Sequence, residues 1–122
     1  MGSKRLLLAG LLMSLSLFNA AQAQQSIVGG WEVRHSNLGH RWDLSADGRY
    51  EYTRYSANFG ALNVLGRVSG TYEIQGNRIT FKGDDGSIFR TTYRLAPNVV
   101  SLGRNALYLV MRSGHEEMFF PD

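Results

Sequence analysis

The chain of 122 residues contains no cysteine. A domain built from it is held together by packing and sheet hydrogen bonds alone, without the disulfides that staple many small secreted folds. The absence also excludes a lipid-modified cysteine behind a leader. Lysine is nearly missing, with Lys4 and Lys82 its only occurrences, and the arginines are scattered along the chain. A nucleic-acid-binding face needs its cations in a patch or stripe, so nucleic acid is not an expected partner. Apolar residues at helical spacing are almost absent beyond Gln24. No stretch beyond the leader approaches the roughly 20 apolar residues that a membrane-spanning helix requires.

What is present begins with that leader. Lys4 and Arg5 form a basic start, Leu6 to Phe18 is an almost unbroken apolar run, and Ala21-Gln22-Ala23 has the small-x-small form of a signal-peptidase site. Residues 1–23 therefore read as a signal peptide cleaved after Ala23, and residues 24–122 as one domain of a periplasmic or secreted bacterial protein. Lys4 and Arg5 leave with the leader, so the remainder carries eleven basic against ten acidic residues, and the basic pI of the whole chain overstates the charge of the mature domain.

Beyond Gln24 the pattern is one of short alternating segments divided by turn residues. Trp31 and Val33 share one face of a strand, because side chains alternate along an extended chain. Trp42 and Leu44 do the same before Asp47-Gly48, a strong hairpin signal. Further strands are predicted over Arg49 to Tyr55, Val68 to Ile74, Arg78 to Phe81, Ser87 to Leu95, Val99 to Leu102, Ala106 to Met111 and His115 to Phe120. About eight or nine short strands joined by tight turns define an all-β antiparallel barrel or sandwich.

Gly29-Gly30-Trp31 is similar to the Gly-x-Trp signature that opens lipocalin-like, or calycin, β-barrels, and "LSADGRYEY", Leu44 to Tyr52, resembles a segment common in small bacterial lipocalin-like domains. The resemblance implies a small up-and-down barrel of about eight antiparallel strands. It also implies that Trp31 plugs one end, with Gly30 allowing close approach, and that an arginine packs over the indole. Arg112 is the position matched to that arginine, with Arg104 second.

Three groups of residues are candidates for function. The segment Ser56 to Arg67 reads as the one long connection, apolar without strand alternation and suited to a lid over a barrel mouth, and Phe59, Leu62, Val64 and Leu65, with the mouth residues Tyr50 and Tyr52, form the expected ligand or interface site. The plainer readings are that this segment closes the open end of the core or is itself a strand. Trp31, Trp42, Tyr50, Tyr52, Tyr72, Phe81, Phe89 and Tyr93 are assigned to the interior, which an eight-stranded barrel can either fill or leave partly open to a small ligand. His35, His40 and His115, with Asp84, Asp85, Glu116 and Glu117, are the remaining candidates for chemistry. Their spacing does not bring them together, so no metal, cofactor or catalytic group is expected. The expected function is a binding module for a small apolar molecule or a protein surface. The alternative is an envelope interaction or inhibitor protein with a filled core, acting through an edge strand or the C-terminal segment.

Overall fold

The alternating segments fold into eight strands in a computed structural model that describes residues 27–122. The leader expected over residues 1–23 lies outside the described residues. The strands are β1 (Gly29–His35), β2 (Leu38–Leu44), β3 (Arg49–Asn58), β4 (Ala61–Gln75), β5 (Arg78–Gly83), β6 (Ile88–Pro97), β7 (Asn105–Val110) and β8 (Glu116–Pro121). Each is antiparallel to its sequence neighbours, and β8 returns to β1 to close the barrel. No helix of the described residues is long and apolar enough to cross a membrane.

The closing seam is narrow, with only Trp31 opposite Pro121 and Glu32 opposite Phe120. It is reinforced outside the ladder. The Asp122 backbone N–H donates to the Gly30 carbonyl at 3.1 Å. The Arg41 guanidinium pairs with Asp43 at 2.8 Å, with Glu32 at 3.6 Å and with the Asp122 carboxylate. Bonds to Asp122 and Asp43 hold the Arg41 guanidinium above its ordinary pKa and the Asp122 carboxyl below its own. This network accounts for the glycine ahead of Trp31: a Cβ at Gly30 would collide with the Asp122 and Arg41 side chains.

The interior holds one continuous core. Trp31, Ile27, Leu107, Leu109 and Phe119 are buried there, and the Trp31 indole N–H donates to the Ile27 carbonyl at 2.8 Å. An aromatic cluster centred on Trp42 continues the core. Its ring lies 4.4 Å from both Tyr52 and Phe81 and 5.9 Å from Tyr50, with Phe89 6.4 Å away. These spacings fall in the range favoured by aromatic pairs.

Three sequence-based expectations need correction. Ser56 to Arg67 is not a connection but the outer part of the β3–β4 hairpin, turned at Phe59-Gly60. Both turn residues have positive φ, 51° and 80°, which is the two-residue turn that suits the right-handed twist of paired strands. Its apolar side chains are exposed and do not close the core. Leu65 is the extra residue of a bulge, since Arg54 faces Gly66 while Tyr55 faces Val64; the bulge breaks the alternation that a sequence reading relies on.

Val99–Leu102 is not a strand either. It lies in the β6–β7 turn, where the Ser101 hydroxyl is bonded to the Asn98 and Arg104 carbonyl oxygens, Asn98 Oδ1 accepts from the Val100 N–H, and Leu102 has φ of 54°. Finally, Arg112 does not pack over Trp31. It sits in the β7–β8 turn with its guanidinium 5.7 Å from the centre of the Phe89 ring. Arg104, the second choice, borders the same surface recess as Trp31 and donates to the Asp122 backbone oxygen at 2.9 Å.

Candidate functional site

The end of the barrel away from Trp31 is open because the strands there stop pairing. β6 pairs with β5 through Ile88–Thr92 and with β7 only through Tyr93–Pro97. The first half of β6 is therefore joined to β7 by side chains in place of a ladder: the Thr91 hydroxyl donates to the Val110 carbonyl, and Arg112 donates to the Ile88 carbonyl at 3.3 Å. Across the mouth, residues 61–67 of β4 extend beyond the last rung with β5, at Gly70 and Gly83.

Between these elements lies a cavity of about 530 Å³. Its floor is aromatic, formed by Trp42, Tyr50, Tyr52, Phe81 and Phe89, with Val68 and Met111 at the sides. Arg54, Asp85 and Arg112 stand among the residues at its rim. The volume and composition suit a small-molecule site, mostly apolar with a few placed polar groups. Burial raises the Tyr50 hydroxyl pKa, with Asp85 and Asp84 adding to the shift, and burial is also the leading cause for Tyr52.

Trp42 brings a polar feature to this floor. Its indole N–H is buried with no hydrogen-bond partner among the described residues, although a buried tryptophan N–H usually finds one. The other such group is the Tyr55 hydroxyl. That ring is packed against Gly39 and lies 5.6 Å from the Arg34 guanidinium, outside the aromatic cavity.

A polar cluster adjoins the cavity on the β1, β2 and β8 side. His40 Nδ1 and the Tyr52 hydroxyl are hydrogen-bonded at 2.6 Å, and His35 Nε2 is paired with Glu117. Burial lowers the His40 pKa; Arg54 and His35 lower it further, while Glu117 opposes them. One histidine thus meets one carboxylate, and the second is bonded to a phenol. His115 lies apart in the β7–β8 turn, where its backbone N–H bonds the Ser113 hydroxyl. The acidic pairs are separately engaged: Asp84 with Arg49, Asp85 with Ser87, Glu116 with Arg94 and Glu117 with His35. Among the described residues no three His, Asp or Glu side chains are placed to hold a metal ion.

Of the residues singled out in the sequence, Tyr50 and Tyr52 line the cavity, Trp42 is its hub and Arg112 is on its rim. Gly30 and Trp31 belong to the closed end. Phe59, Leu62 and Val64 are exposed on the hairpin, whereas Leu65 borders a smaller recess of about 300 Å³ with His40, Tyr52 and Arg54. Sequence reasoning missed Arg54, although it shares the alternation of Tyr50 and Tyr52; Glu117 was among the candidates, but its pairing with His35 was not foreseeable from spacing.

Fold and site together define a closed, eight-stranded antiparallel barrel with an aromatic cavity at one end. No family model matches the sequence, and neither a curated protein nor a solved structure matches it significantly.

Proposed function

We propose that this is an exported, lipocalin-like binding module that holds a small apolar molecule in the cavity above Trp42 and performs no catalysis. The observation that carries the reading is the combination of a volume of about 530 Å³ with a floor of five aromatic side chains. Such a floor loses apolar surface to water until a ligand covers it. Each square ångström covered contributes about 25 cal/mol, and the net affinity is what remains after the guest's lost translational and rotational freedom is offset. The histidines offer little for catalysis, because His40 is committed to Tyr52 and His35 to Glu117.

Titration of the protein, purified from a secreting host, with the neutral fluorophore N-phenyl-1-naphthylamine tests this directly. Saturable binding of one molecule per chain, weakened at least about tenfold by Phe81→Ala in a variant that still unfolds cooperatively, is the expected result. Linear, non-saturating uptake would rule the carrier reading out.

A second reading, a protein-binding surface, draws on the exposed apolar side chains of Phe59, Leu62, Val64 and Leu65. The C-terminal strand β8 is paired on both sides. The backbone edges left without a ladder at the mouth are the outer part of β4 and the first half of β6.

A further inference from the structure

We infer that the molecule held in this cavity is an amphipathic anion, with its apolar body on the aromatic floor and its carboxylate, sulfonate or phosphate group between Arg54 and Arg112. The inference rests on the cavity reading and adds the chemical class of the ligand. Four arginines are matched with carboxylates: Arg41 with Asp43 and Asp122, Arg49 with Asp84, Arg67 with Glu51, and Arg94 with Glu116. Arg54 and Arg112 have no carboxylate within ion-pairing distance among the described residues, and they reach the same cavity from separate elements, β3 and the β7–β8 turn.

Arg112 is already held in place by the Ile88 carbonyl and the face of Phe89, which lowers the cost of ordering its long side chain when a ligand binds. Asp85 also stands on the rim. Its Oδ1 is occupied, accepting from the Ser87 backbone N–H at 2.9 Å and from the Ser87 hydroxyl at 2.6 Å. Glu117, which acts on Tyr52, is paired with His35, and Asp84, which acts on Tyr50, is paired with Arg49.

The charged groups of the lining are thus the two guanidinium groups and the Asp85 carboxylate, which Ser87 engages. A guanidinium donates and cannot accept. A ligand rich in acceptors, and best a charged one, completes the set through charge-assisted bonds, which are roughly twice as strong as neutral ones. An aromatic floor can also receive an organic cation, but two guanidinium groups on the same lining repel it.

Calorimetry at low ionic strength with three probes of similar ring size decides the matter. The probes are 1-anilinonaphthalene-8-sulfonate, N-phenyl-1-naphthylamine and (1-naphthylmethyl)trimethylammonium. The sulfonate is expected to bind at least about tenfold more tightly than the amine, and the cation more weakly than either. Arg54→Gln combined with Arg112→Gln should bring the sulfonate down to the affinity of the amine, with Arg90→Gln, on the outer face, leaving the preference intact. Urea midpoints of the variants verify that they fold. Equal affinities of sulfonate and amine, a preference for the cation, or a sulfonate preference that survives the double substitution would each overturn the anion inference while leaving the cavity reading standing. Failure of all three probes to bind would remove the cavity reading and this inference with it.

Discussion

Trp31 and Trp42 stand opposite each other in the β1–β2 ladder and share one core, yet their surroundings differ. The Trp31 ring is buried and its N–H is bonded to the Ile27 carbonyl. Around Trp42 the neighbours are aromatic, with Tyr50 and Phe81 buried and Tyr52 and Phe89 partly so, and the N–H has no partner among the described residues. Leaving a buried donor unsatisfied costs about 1–3 kcal/mol. Trp31 has the character of a stabilising core residue; Trp42 keeps an unmet hydrogen bond and lies where the core meets the cavity, among its lining residues.

The sharpest way to break this comparison is Trp31→Ala. A large truncation in a well-packed interior should cost about 3–5 kcal/mol, measured by urea unfolding. A loss below about 1 kcal/mol would mean that Trp31 does not plug the barrel.

A smaller effect is expected from pH, and at the open end. Burial depresses the His40 pKa in the folded chain below its ordinary value of 6.5. As pH falls through that value, the unfolded chain takes up a proton that the folded chain resists, so stability declines until the folded pKa is also passed. The urea midpoint should drop between pH 8 and about pH 5.5, and His40→Gln should flatten the slope. A midpoint that rises on acidification, or a slope unchanged in the variant, would contradict the assignment. The groups that set this response are Glu117, Arg54 and His35.

The smallest effect is predicted for Phe59→Ser at the hairpin tip. Phe59 is fully exposed and covers no part of the core, so the change should stay within about 0.5 kcal/mol. A loss above about 1 kcal/mol in the same unfolding experiment would show that the tip folds back onto the barrel mouth.

Much of this was readable in the chain. Alternation placed seven of the eight strands to within a few residues, and Asp47-Gly48 marked a true turn, with φ of 85° at Gly48. The hairpin tip was not readable, because phenylalanine seldom adopts the positive φ that Phe59 has and the bulge at Leu65 broke the alternation. Val99–Leu102 misled for the opposite reason: an apolar run looks like a strand, but its backbone is committed to Asn98 and Ser101 in a turn. The assignment of Arg112 to Trp31 failed because it required knowing which end of the barrel a turn occupies.

The period of two in the sequence by itself determined that this chain forms strands, which face of each is apolar, and that the aromatic residues gather inside. Only the tertiary structure decided the register and stagger with which those strands close. Register is a non-local property, set by how eight inward faces fit one ring, and no local segment encodes it. It brings His35 to Glu117 across 82 residues, splits the pairing of β6 between two neighbours, and so opens one end of the barrel with Arg54 and Arg112 on its rim.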